Sequence, residues 1–120
     1  MSPSASRRRR LPVGERVAED VADAMFALST PSRVLILGLL LSGPHSVTEL
    51  ADGLEMEQSA VSHQLRVLRQ HALVAVVRDG KRRVYTLHDE HVVELLEGAL
   101  RHVEHRRTGR IAAVRRRASR

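Results

Sequence analysis

Cysteine is absent from all 120 residues, which excludes a disulfide framework, a thiolate metal site and a cysteine nucleophile. Phe26 and Tyr85 are the only aromatic residues apart from histidine, too few to build the stacking platforms that hold single-stranded nucleic acid. The longest apolar run, Val34 to Leu41, is eight residues long and includes Gly38, far short of a membrane span. No basic segment leads into an apolar stretch with a cleavage site, so no secretory signal is read. These absences leave a cytoplasmic domain without membrane contact as the expectation.

Charge is plentiful but unevenly placed. Lys and Arg total 20 against 14 Asp and Glu, a formal balance of +6. Four of those basic residues are Arg7 to Arg10, and seven arginines with no acid lie from Arg106 to Arg120. The stretch between them therefore holds nine basic residues against all 14 acids, a net of −5. Three segments follow: a disordered basic arm over 1–14, a structured body over 15–106, and a basic C-terminal tail over 107–120.

Within the body, periodicity predicts five helices and one hairpin. Val17, Val21, Ala24, Met25 and Leu28 form a helical stripe from Glu15 onward. Ser29-Thr30-Pro31-Ser32 reads as a stop and a new start, with Thr30 as N-cap and Pro31 at the first helical position. The helix over about 31–42 is apolar nearly all round, as a core element is. A short helix to Leu54 follows Ser42-Gly43-Pro44. The next, from about Glu57 to His71, carries Val61, Leu65, Leu68 and Ala72 on one stripe. Leu73–Val77 and Arg83–Leu87 read as strands joined through Asp79-Gly80. A last helix starts near Asp89, with Val92, Leu95, Leu96, Ala99, Leu100 and Val103 on one face. The expected fold is mainly α with a two-stranded β-hairpin wing, a winged helix-turn-helix.

A helix that enters the major groove needs a slim outer face that hydrogen-bonds base edges. Gln58, Ser59, Ser62, His63 and Gln64 supply such groups, followed by Arg66 and Arg69, while Arg78, Lys81, Arg82 and Arg83 decorate the hairpin. Residues 58–83 hold six basic residues and one acid, a cationic patch in an otherwise acidic body, suited to duplex phosphates. Gln58, Ser59, Ser62, His63, Gln64, Arg66, Lys81, Arg82 and Arg83 are the candidate DNA contacts. The same features also describe a solvated polar helix beside a charged turn, and only the helix-turn-helix order around them favours DNA.

Asp89, His91, His102 and His105 form a second set on the last helix. His91 and His102 are eleven residues apart, close to three full turns, so they share a face roughly 16 Å apart along the axis. Zinc holds its ligands at about 2 Å, so one straight helix cannot bring all four to one ion. Two antiparallel copies bring Asp89 and His91 of one chain to His102 and His105 of the other. The spacing thus predicts a homodimer with two equivalent bridging sites. Nitrogen and carboxylate donors suit zinc, cobalt or nickel, and four of them close a tetrahedral zinc site of structural or regulatory kind. The plainer alternative makes Asp89 a helix cap and the histidines surface residues. His45, His71 and His88 are assigned no ligand role.

Leu28 to Arg33 (Leu-Ser-Thr-Pro-Ser-Arg), Met56 to Arg66 and Val84 to Leu87 resemble the ArsR/SmtB metal-responsive repressors, over about residues 15–106. The set Asp89, His91, His102, His105 is similar to the last-helix site of that family's zinc and nickel/cobalt sensors. The resemblance implies a dimer joined through the first and last helices, and a repressor that binds an inverted-repeat operator when metal-free and leaves it when metal binds. It also implies that His102 donates to a carbonyl near Ala72, linking metal to the reading helix. Two departures matter. The thiolate sensors carry cysteines at the start of the third helix, where this chain reads Glu49 to Leu54, so arsenic, lead and cadmium thiolate sensing is excluded. Nickel sensors recruit extra ligands, yet no histidine precedes His45 or follows His105, which favours zinc over nickel or cobalt.

Other readings are a metal hydrolase, an architectural nucleic-acid protein working through its Arg tails, and a repressor with a non-metal inducer. The first needs an open coordination position and a pocket, and a helix pair offers no evident cleft. The expectation is therefore a non-enzymatic DNA-binding repressor, with zinc (alternatively nickel or cobalt) as regulatory ligand, no organic cofactor and no small-molecule substrate.

Overall fold

The computed structural model describes the backbone of residues 13–118 and the side chains of 13–108. The arm expected over 1–14 lies outside these residues except for Val13 and Gly14, as do Ser119 and Arg120 of the tail. The elements run α1 (Glu15–Ala27), α2 (Pro31–Leu40), α3 (Val47–Leu54), α4 (Gln58–Gln70), β1 (Val74–Asp79), β2 (Arg82–Leu87) and α5 (Glu90–Ala118). α5 thus runs on through most of the stretch read as a tail.

Local chemistry sets most boundaries. Thr30 accepts from the Arg33 amide with Pro31 behind it, so α2 starts on a side-chain cap plus a pre-set φ. Ser46 and Glu49 form a reciprocal capping box at the start of α3. α1 and α2 meet at 88° across Leu28 to Thr30. No single described helix is long and apolar enough to cross a membrane.

α3 and α4 both end on a left-handed residue that is not glycine, Glu55 at φ 54° and Ala72 at φ 55°. After α4 the Leu73 amide reaches the Leu68 carbonyl (2.9 Å) and the Ala72 amide the Arg69 carbonyl (3.1 Å). This bond pair closes the helix and turns the chain into β1. The hairpin is antiparallel with Val74 opposite Leu87 and Asp79 opposite Arg82. Its two-residue loop is therefore Gly80-Lys81, one position later than Asp79-Gly80. Gly80 has φ 66°, as the first position of a II′-type hairpin turn requires. His45 adds a one-residue bridge to Tyr85, too short for periodicity to reveal.

The core is built from Ala27, Ile36, Leu37, Leu40, Leu50, Ala51, Val61, Leu65, Leu68, Leu73, Val74, Val92 and Leu96. α2 is central, as its composition implied, although Leu35 on its opposite face is 56% exposed. The stripe expected on α1 is only partly covered by the rest of the chain: Ala24 and Leu28 are half-buried, Leu28 packing against the core, while Val17, Val21 and Met25 are exposed. Ala27, outside that stripe, is the buried residue of the helix, and its neighbour Phe26 is exposed. α5 divides in the same way, packed at Val92 and Leu96 and bare at Leu100 and Val103.

Candidate nucleic-acid interface and metal-ligating residues

The buried stripe of α4 orients its remaining faces. With Val61, Leu65 and Leu68 in the core, a turn of 100° per residue carries Ser59, Ser62, His63, Arg66 and Arg69 outward. All five are exposed, as is Gln58 at the helix start. Gln58 also donates to Thr48 of α3 (3.4 Å). Glu57, the N-cap, makes no side-chain cap bond, so the first amides of α4 keep free donors at its positive end.

Gln64 departs from this group. It sits 40° from Leu68 on the edge of the buried stripe, is half-buried, and its Oε1 accepts from Arg33 Nη1 (3.2 Å). Its carboxamide oxygen is thus turned toward Arg33 of α2.

On the hairpin Lys81, Arg82 and Arg83 are all exposed. Arg82 is engaged by Glu49 of α3 at 2.6 Å, which fastens the wing to the helix-turn-helix. The Ser46 amide, then the Arg82 guanidinium, hold the Glu49 carboxyl below the usual carboxylate range. Arg78 and Arg83 face one another across the ladder, a like-charge pair that costs stability unless an anion joins it. Between α4 and β2 lies a cleft of about 320 Å³ lined by Val47, Ser62, Leu65, Arg66, Arg69, Arg83 and Tyr85. Three arginines line it, with no carboxylate in the lining. Arg69, read from the sequence as part of the basic face of α4, and Tyr85 were not among the candidate contacts, and the tertiary approach of β2 to α4 brings both to that cleft.

The carboxylate and histidine set divides in two. At the start of α5, Asp89 Oδ1 accepts from the Val92 amide (3.1 Å), so Asp89 does cap the helix. Its Oδ2 receives His88 Nδ1 at 3.1 Å, and His91 Nδ1 stands 3.8 Å from Oδ1. The Val92 amide first, then the His88 and His91 rings, hold the Asp89 carboxyl below its ordinary range. Capping leaves lone pairs on both oxygens, and two donors on one tetrahedral zinc stand about 3.3 Å apart at the usual bond lengths. Asp89 and His91 therefore fit as half of a site. His102 and His105 lie one turn apart on the exposed distal part of α5. No group of three metal-capable side chains gathers among the described residues, consistent with the helical spacing in a single chain. His102 makes no hydrogen bond to the Ala72 carbonyl. His45 and His71 instead contact backbone carbonyls of Gly43 and Val67 through Nδ1, at 2.7 and 2.9 Å.

A short helix, a turn, an outward-facing polar helix and a basic hairpin define a winged helix-turn-helix protein. The family description "Bacterial regulatory protein, arsR family" matches residues 30–76. The chain is 50% identical over 102 residues to the HTH-type transcriptional regulator NmtR of Mycobacterium tuberculosis, covering 85% of each protein. Its fold is similar to the solution structure of apo-NmtR, with a TM-score of 0.67 and 52% identity over 79% of this chain and 80% of that one. It is also similar to the homodimeric winged helix-turn-helix DNA-binding domain Mb0332 of Mycobacterium bovis, with a TM-score of 0.72 and 28% identity over 79% and 91% of the two chains. The chain belongs to the arsR family of bacterial regulatory proteins, whose matched members are transcriptional regulators rather than enzymes.

Proposed function

We propose that the protein is a cytoplasmic, metal-responsive repressor, a homodimer that holds an inverted-repeat operator when metal-free and releases it on binding zinc between its subunits. For DNA, the supporting feature is the cleft between α4 and the wing. With α4 in the major groove and the wing over the adjacent minor groove, the phosphate ridge between the grooves falls into that cleft. Arg66, Arg69 and Arg83 line it. Gln58, Ser59, Ser62 and His63 are left to read base edges, with Lys81 and Arg82 along the backbone.

The observation that carries the metal reading is the build of α5. Asp89 and His91 stand together at its packed start, and His102 and His105 flank the bare Val103 further along. An antiparallel partner covers Leu100, Val103 and the exposed stripe of α1, and the same docking brings its own His102 and His105 toward Asp89 and His91. Bound zinc would supply a closed tetrahedral cross-link between the subunits. Imidazole must be neutral to ligate, so metal affinity falls as pH is lowered. By linkage, operator and metal weaken each other's binding by one common factor.

Fluorescence anisotropy of the metal-free protein on labelled DNA from its own upstream region, titrated in parallel with zinc and nickel, tests this reading. Release by zinc at about one ion per chain is expected. Stronger release by nickel transfers the inducer role to nickel. Tight, salt-sensitive binding that ignores both metals overturns the metal site and leaves a repressor with another inducer.

A further inference from the structure

Arg33 is the one charged residue in α2 and is buried at 9% exposure, yet no carboxylate pairs with it among the described residues. A buried guanidinium without a counter-ion is costly unless its donors are met. Here they are met from two directions. Nε donates to the Ala27 carbonyl and Nη2 to the Phe26 carbonyl at 3.4 Å, both in the last turn of α1. Nη1 donates to Gln64 Oε1 on α4 at 3.2 Å. α1 has no basic residue of its own in that last turn, so Arg33 supplies the cation that the negative end of the helix dipole favours.

The geometry points to Arg33 and Gln64 as the joint that fixes the orientation of the DNA-reading helix relative to α1, with Gln64 a positioning residue rather than a base contact. The inference rests on the operator-binding reading above. α1 enters the core only at Ala27, and the rest of its apolar stripe awaits a partner subunit. Two reading helices on one duplex must reach half-sites about 34–36 Å apart. That spacing is defined only if each α4 is held rigidly to the helix through which the dimer is joined. One planar fork bonded to both helices does this, and its fixed donor geometry is something a lysine cannot copy.

The test uses the full chain with Arg33→Lys, Gln64→Leu and the double variant, after circular dichroism and sedimentation confirm folded proteins of unchanged assembly. Without DNA, Gln64→Leu should speed hydrogen exchange of the Leu28 and Ser29 amides, on the far side of the joint. Unchanged exchange there overturns the joint whatever the protein does with DNA. On the operator, each single variant should weaken binding by about tenfold, more than it weakens binding to a scrambled duplex, and the double variant should be no worse than the weaker single one. Effects that multiply would show two independent roles and overturn the joint. Loss of preference at a single base pair in Gln64→Leu, with Arg33→Lys unaffected, would make Gln64 a base contact and overturn it as well. A wild-type protein with no operator preference would count against the DNA reading, while the exchange result still decides the joint.

Discussion

Leu37 is wholly buried, while Leu35, two residues earlier on the same helix, is 56% exposed. That contrast runs through the molecule. The inner layer, made by α2, α3, α4, the base of the hairpin and the start of α5, is finished by the chain itself. Three of its four helix starts are capped by side chains, at Thr30, Ser46 and Asp89, with α4 the exception, and none of its buried side-chain polar atoms lacks a partner among the described residues. The outer layer, α1 and the part of α5 just beyond Leu96, is equally helical but leaves Val17, Val21, Met25, Phe26, Leu100 and Val103 bare. Apolar faces at helical spacing occur in both. What differs is whether the apolar face meets its own chain, and an apolar face that does not is suited to a second copy.

The sharpest way to break this contrast is within α2. Leu37→Ala should cost about 2–5 kcal/mol of unfolding free energy, and Leu35→Ala within about 0.5 kcal/mol in the isolated subunit, both read by urea denaturation. Equal losses would mean that Leu35 is covered by its own chain after all. Next comes the outer layer. Leu100→Asp should weaken self-association by about 30-fold, the size of a central interface truncation of roughly 2 kcal/mol, and leave the helical circular dichroism intact. A variant that sediments like wild type would show that this face is not the subunit contact.

Inside the DNA-reading unit, Arg69→Ala should remove one phosphate contact, lowering the slope of log affinity against log salt by about 0.9 at every duplex sequence. An unchanged slope would show that the cleft between α4 and the wing does not hold the backbone. Ala72→Gly should stabilise the fold by about 0.5–1 kcal/mol, because glycine takes the left-handed position at the end of α4 without a Cβ penalty. The smallest effect is on the acid limb. Asp89 and Glu49 have lowered carboxyl values, so their contribution is fully present above the unfolded-state value and is lost as pH falls through the folded one. Asp89→Asn together with Glu49→Gln should flatten that limb, as thermal melts from pH 3 to 6 would register.

Much of this was legible from residue order. Thr30-Pro31 starts a helix because cap and φ are properties of two neighbouring residues, and Gly80 makes a hairpin because few other residues adopt its φ. The reading face of α4 was also visible, since Val61, Leu65 and Leu68 leave only one arc outward. Gln64 lies at the margin of that arc, half-buried with its oxygen on Arg33. A helix period separates faces, yet a residue at their border goes to whichever side offers a partner, and Arg33 offers one 31 positions away. The sequence signal was Arg33 itself, a lone charge in an apolar helix.

Two kinds of information therefore divide this protein. Helix and hairpin positions, the polar arc of α4, the basic wing and the impossibility of closing a four-ligand site on one helix were set by residue identity and spacing, because caps, turns and helical periods act over a few residues. Which apolar stripes stay bare, that Arg69 and Arg83 share one cleft, and that Arg33 ties α1 to α4 were decided only by tertiary packing. Those outcomes depend on which distant surfaces come within a few ångströms of each other, and no local rule encodes that.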